Sequence, residues 1–319
     1  VLQVIDIESP AATESHAWKD FSPNTSTNPP TYATVGTYQV VPSTLHTKYY
    51  PKSISWEINL WINEEQMSDA FRSAGELQTL VDRLYLSVDN KMAEHKENLT
   101  ATNRNSWIAN KLIYAASPGA KGIHKVDLLG KFNAERGGSL TTIDSFLKSP
   151  EALRFASAQM ILYSQYLRKQ SSLFNVDGLV KFCPRERMVV EILSAFENAI
   201  NEVALSTTFH DELVAMPKHI STPAWQGLGV DDAVAGTSAA AFDQVSKIDV
   251  SVDAGDIEQA GIVGLIVDQY AIMNSIRSER VAHQHFDVEN LDMFSFQQRS
   301  SYINNMAQPG VVFTIEPTS

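Results

Sequence analysis

The sequence predicts an α+β fold, and three observations predict it. The stretch Ser73 to Ala116 carries apolar residues at helical spacing with one early glycine, Gly75, and no proline. Ile54 to Ile62 alternates apolar and polar side chains, as a half-buried strand does. Ala260 to Val267 and Val311 to Ile315 are near-uniform apolar runs of strand length.

With 319 residues, 44% of them hydrophobic, the chain can bury a large core, and its length fits two lobes. Its longest apolar run, Ala260 to Val267, falls well short of the roughly 20 residues of a membrane helix. The formal charge of −12 argues against tight nonspecific binding to nucleic acid, which needs clustered Lys and Arg. The acid is concentrated between Gly227 and Ile276, where Lys247 is the lone basic residue among eight acidic ones, and that segment reads as a solvated face. The first residue is Val1, and Val1 to Ile5 carries no basic flank of the secretory kind, so the natural chain is expected to begin earlier. A single cysteine, Cys183, cannot form an internal disulfide and reads as a packed thiol.

Taken in order, Val1 to Ile7 predicts a short strand. Glu8 to Tyr38 is rich in Pro, Thr, Asn and Ser and reads as an arm. Trp18, Phe21, Tyr32 and Tyr38 interrupt it, and large aromatic side chains favour cover. Two readings are open: the arm packs on another subunit, or it is a long loop on its own body. Leu45 to Tyr50 can pair with the strand Ile54 to Ile62, predicting a long hairpin ahead of the helix, with Pro42 and Pro51 confining breaks to its ends.

The helix comes next. Leu77, Leu80, Val81, Leu84, Val88, Met92, Leu99, Ile108 and Leu112 form one stripe along Ser73 to Ala116. Ser117-Pro118-Gly119 stops it. The run from Thr100 to Asn105 is a weak helix former, and there the helix is expected to bend if it bends at all. Ala120 to Ser145, with Gly122, Gly130, Gly137 and Gly138, reads as loop. Ser149-Pro150-Glu151 opens a second helix, with a serine cap, proline in the first turn and an acid at the positive end of the dipole. Leu179 to Phe182 and Arg187 to Leu193 predict short strands, Ser194 to Leu205 a helix, and Lys247 to Val252 a further strand.

Catalytic motifs are sparse. His283-Gln284-His285, with Asp287 and Glu289 nearby, offers two imidazoles that would share one face of a strand, or else two polar loop residues. The first reading gives a rival function, a soluble metal-dependent hydrolase built on His283, His285 and Asp287. Gly261-Ile262-Val263-Gly264 with Asp268 is an incomplete dinucleotide fingerprint, and its glycines lie inside an apolar strand, where close backbone packing explains them better. His210-Asp211-Glu212 lacks a third partner, and no Walker loop, nucleophile elbow or paired-cysteine zinc motif is present. No catalytic, metal or cofactor-binding residue is assigned, and no cofactor.

The order of parts, and several local segments, are more informative. Thr13 to Trp18, Lys52 to Ile58, Gln66 to Ala74, Ser172 to Val176, Thr208 to Pro217 and Trp225 to Gly229 resemble segments of the major capsid proteins of tailed bacteriophages, which share the Hong Kong 97-type fold. The likeness runs from about residue 13 to 230, and the tail from Arg277 to Pro309 departs from it. The resemblance implies an N-terminal arm at 1–20, an extended loop and hairpin at 21–62, and a peripheral domain with a long spine helix at 63–145. An axial domain at 146–276 and returning strands of the peripheral domain at 277–319 would follow. It also implies a structural, non-enzymatic subunit of an icosahedral head enclosing double-stranded DNA, assembled in the bacterial cytoplasm and found in the virion. Its partners would be itself, in hexamers and pentamers, a portal, and scaffold or decoration proteins, with no membrane. Trp18, Phe21, Tyr32, Tyr38, Tyr49 and Tyr50 are the candidate interface residues. An encapsulin-like compartment shell is the alternative on the same fold.

Overall fold

A computed structural model describes residues 2–8, 44–50, 53–63, 74–206, 219–226, 239–287 and 290–317. Two compact units emerge, Val1–Lys52 and Ser53–Ser319. In the first, strand β1 (Leu2–Glu8) pairs antiparallel with β2 (Thr44–Tyr50). The expected hairpin between Leu45–Tyr50 and Ile54–Ile62 is therefore corrected. Strand β3 (Ile54–Asn63) instead pairs with a distant strand of the second unit.

The long helix is present and unbroken. Helix α1 spans Ala74–Ala116, 43 residues, which at ~1.5 Å per residue is ~64 Å. The weak middle stays helical with its short polar side chains turned back on the helix itself: Thr100, Thr102 and Ser106 donate to the carbonyls of Lys96, Asn98 and Thr102. Others reach outward from the same region. Asn105 Nδ2 donates to Trp225 O at 2.6 Å, and Arg104 ion-pairs with Glu191 at 3.1 Å while its guanidinium lies over the Trp225 ring. What reads as a weak centre is the site at which the helix is tied to its neighbours.

Burial divides the helix into two working halves. From Asn103 on, Trp107, Ile108, Ala109 and Leu112 are buried in the main core. Toward the N-terminal end Val88 is buried, with Leu80, Leu84, Met92 and Leu99 half-covered. That end packs on a three-stranded antiparallel sheet in the order β10-β11-β3, where β10 is Ile272–Phe286 and β11 is Leu291–Asn304. Tyr85 meets Phe294 and Phe296 edge-on, and His95 meets Trp56.

The main core surrounds a five-stranded mixed sheet in the order β4-β12-β9-β5-β6. Its strands are β4 (Lys125–Asp127), β5 (Met188–Leu193), β6 (Ile220–Thr222), β9 (Ile262–Asp268) and β12 (Gly310–Thr314). Every residue of β9 and β12 is buried, as their unbroken apolar sequences require of strands covered on both faces. Phe313 and Gly264 are cross-strand partners facing Tyr163 and Met160 of helix α4 (Pro150–Leu167). Gly310, three residues earlier, meets the Trp107 ring of α1. The sheet is thus clamped between α4 on one face and α1 on the other. Gly264 and Gly310 are close-approach glycines, as expected for the first.

Around this sheet, Ser149 caps α4 as its sequence predicts, with Pro150 in the first turn. Helix α5 (Ser194–Ser206) follows β5 directly. The Gly-rich stretch read as loop contains β4 and the helices α2 (Leu128–Arg136) and α3 (Ile143–Leu147). Asp127 overrides the weak propensity by accepting hydrogen bonds from the amides of both Leu129 and Gly130. Leu179 to Phe182 is not a strand; a single bridge, Ser171 to Lys181, takes its place. Helix α6 (Ala239–Ser246) leads into a two-stranded hairpin, β7 (Ile248–Val252) with β8 (Gly255–Gln259).

One charged group lies inside the core. Lys111 on α1 is fully buried, donates from Nζ to Phe174 O at 2.9 Å and lies 3.3 Å from His124 Nδ1. Burial depresses its pKa to about 7, a shift that the Asp177 carboxylate partly opposes. His124, whose Nε2 is 2.8 Å from Lys121 O, is likewise lowered by burial and then by Lys111. In the unfolded chain the amine keeps its proton to a pH of about 10.4. Between that value and about 7 the unfolded state binds the extra proton, so this group makes stability rise with pH in that window.

Two outcomes follow for the unassembled subunit under urea. Gly310→Ala pushes a methyl group into the Trp107 ring and lowers stability by about 1–3 kcal/mol. Lys111→Met removes the alkaline gain: from pH 7 to 9 the wild type becomes more stable relative to the variant, by up to ~1.4 kcal/mol per pH unit.

Candidate assembly surfaces

The sequence-predicted interface residues divide by position. Trp18, Phe21, Tyr32 and Tyr38 lie outside the described residues, as does His210-Asp211-Glu212. Tyr49 and Tyr50 close the β1–β2 ribbon, opposite Gln3 and Leu2.

The histidine pair does lie on a strand. His283 and His285 are on β10, where the alternation of strand side chains sets them on one face. Both meet the same carboxylate: Asp292 Oδ1 on β11 is 2.8 Å from His283 Nε2 and 3.0 Å from His285 Nδ1. His285 Nε2 is also 3.2 Å from Asp287, and the His283 ring stacks on Phe294 with centroids 4.6 Å apart. The imidazoles thus latch the end of the β10–β11 hairpin through Asp292. Among the described residues no group of three or more His, Cys, Asp or Glu is arranged to hold a metal.

Cys183 is buried, and burial, followed by the nearby Asp268 carboxylate, pushes its thiol up to about 12. It therefore stays protonated at neutral pH and unreactive. Asp268, fully buried, is held by Arg187 at 3.0 Å and accepts from the Tyr270 amide. This cluster fixes the turn after β9.

Two concavities lie on the three-stranded sheet. One, of about 770 Å³, runs over the outward face, between Ser55 and Glu57 of β3, Ser278 and Arg280 of β10, and Gln297 and Arg299 of β11. Its floor is a polar ladder: Glu57 accepts from Gln297, Arg280 donates to Gln297, and Arg299 donates to Ser53. A second, of about 310 Å³, lies where Lys91, Glu94 and His95 of α1 meet Trp56 and Ile58 of β3. Both are shallow and bring together no nucleophile with a base.

Large apolar side chains stand exposed at several separate places. Trp61 and Ile54 lie on β3, Ile276 and Val281 on β10, Leu86 on α1, and Tyr166, Leu173, Val180 and Phe182 around the end of α4. No described helix is long and apolar enough to cross a membrane.

Comparison with known proteins agrees with this geometry. No curated protein matches the sequence. Among solved structures, a chain from a structure of the head fiber and inner core protein gp22 of native bacteriophage P68 aligns with a TM-score of 0.56 at 11% identity, covering 98% of this chain and 80% of that one. A chain of the capsid of Staphylococcus phage Andhra aligns with a TM-score of 0.55 at 10% identity, over 99% and 80% respectively. These likenesses show a shared fold, the Hong Kong 97-type capsid fold. The model of the Phi29-like phage major capsid protein family matches residues 25–314, and the chain belongs to that family.

Proposed function

We propose that this major capsid protein builds an icosahedral phage head from hexamers and pentamers of itself, enclosing double-stranded DNA without reading its sequence. The family match over residues 25–314 is the observation that carries this reading, and it favours a phage head over an encapsulin-like compartment. The rod-and-sheet build supports it too. A ~64 Å helix laid along a thin sheet suits a strut in a wall. In this reading residues 63–145 and 277–319 form the peripheral domain and 146–276 the axial domain, with 1–20 as an arm and 21–62 as an extended loop. The peripheral assignment is supported by α1 packing against β10 and β11. Trp18, Phe21, Tyr32, Tyr38, Tyr49 and Tyr50 then anchor arm and loop on neighbouring subunits, each contact weak and the closed ensemble stable. The net charge of −12 suits a container that does not grip its DNA. A portal, and scaffold or decoration proteins, complete the particle, which assembles in the host cytoplasm.

Electron microscopy of the expressed protein, alone and with its co-expressed head proteins, tests the reading. Closed shells are expected; a discrete particle of a few subunits under every condition would overturn it. Deleting Val1 to Asp20 is expected to abolish shells while the unit Ser53–Ser319 keeps its cooperative unfolding transition.

A further inference from the structure

The end of α4 and the loop after it carry a surface that the chain itself leaves uncovered. Tyr166, Leu173, Val180 and Phe182 are 46%, 49%, 57% and 47% exposed, four large apolar side chains within seventeen residues. The loop is rigid. Ser171 and Lys181 exchange backbone hydrogen bonds, the Asn175 side chain both donates to Leu179 O and accepts from its amide, and Cys183 N donates to Leu167 O. Lys111 and Tyr114 of α1 hold its other side through Phe174 O and Val176 O. A fixed apolar patch loses little entropy when covered.

The same stretch is basic in an acidic protein. Between Arg168 and Arg187 there are five basic residues against two acidic ones. Arg168, Lys169 and Arg185 are exposed and form no salt bridge among the described residues.

The opposite surface lies on the β7–β8 hairpin. Its strands and turn hold four acidic residues, Asp249, Asp253, Asp256 and Glu258, of which Glu258 is ion-paired with Lys247 just before β7. The pairing Asp249↔Glu258 and Ser251↔Asp256 sets the strand carboxylates on one outward face, while Val250, Val252 and Ile257 pack toward the core. The hairpin is tied in near Arg104 and Asn105, through Trp225 and through Gln226, whose side chain both donates to Asp249 O and accepts from its amide. That is about one to two turns of α1 away from Lys111. Both surfaces are exposed on one subunit, so neither is covered by the other.

We infer that the apolar, basic surface formed by Tyr166, Lys169, Val180, Phe182 and Arg185 is a docking site for the acidic face of the β7–β8 hairpin of a second copy of this chain. The contact is heterologous, between two different surfaces, and so repeats from subunit to subunit around a ring. Charge complementarity sets register and encounter, and the apolar patch supplies the burial. The inference rests on self-assembly of this chain and adds which surfaces meet.

Reciprocal charge exchange tests it. Lys169→Glu with Arg185→Glu is expected to cut shell yield by about tenfold or more, since it sets carboxylate against carboxylate. Asp249→Lys with Asp256→Lys is expected to do the same, and combining all four exchanges to restore shells. Normal assembly of either pair alone, or no recovery in the combination, overturns the contact. A measurement on the unaltered protein guards against misfolded variants. In shells grown from mixed unlabelled and 15N-labelled subunits, carbodiimide should join Lys169 to the 248–259 segment in mixed-isotope pairs. Formed shells without that link also overturn it, whereas a wild-type chain that never forms shells overturns the assembly reading itself.

Discussion

The structure depends on how the second half of α1 is held. Trp107 lies on Gly310 of β12, a position where any side chain would strike the ring. Beside it, α1 reaches backbone carbonyls from far along the chain: Asn105 at Trp225, Lys111 at Phe174, and Asn103 at 3.4 Å from both Met273 and Ile303. Buried carbonyls at loop ends are costly unless paired. By satisfying them, one helix fixes the places where four separate segments leave the core.

With that end fixed, the other end of α1 can extend beyond the core without losing direction. Its partner there is only a three-stranded sheet, and few of its residues are fully buried. A thin layer of this kind gains modest hydrophobic stabilisation per residue, roughly in proportion to the apolar area it hides. It therefore relies on long ladders and on edge contacts, such as Lys96 with Glu279 and Asn274 with Thr100, to stay aligned with the helix. The arrangement exchanges core volume for reach, which is what a wall needs and an enzyme does not.

How much of this was legible in the sequence depended on whether each segment declares its own environment. Helix α1, strands β3, β9 and β12 and the start of α4 were legible because apolar spacing and a serine-proline cap are local signals. The β10–β11 hairpin was not. Strand β10 is an edge strand whose side chains are mostly exposed, so polar residues such as His283, Gln284 and His285 cost it little and hide its period. The partner of β3 was hidden as well, since Ile58 and Phe296 meet across more than two hundred residues of chain and nothing local announces it. The opposite error occurred at Leu179 to Phe182, an apolar run read as a strand that in fact stands largely in solvent. For the surfaces, the arm aromatics could be flagged from composition alone. Val180 and Phe182 needed the fold to reveal their exposure.

That error is informative about what such a chain is selected to do. In an assembly of copies, apolar groups left exposed on one copy can be covered by another. Here the deep core is complete without Val180, Phe182, Trp61 or Val281, and the apolar groups left over are spread singly or in small sets over distant parts of the scaffold. A single large patch would drive copies together irreversibly and in any register. Several small ones cannot hold a partner alone and must be satisfied together. In the assembly proposed above, dispersed exposure would keep each contact weak enough to correct and the set numerous enough to close a shell.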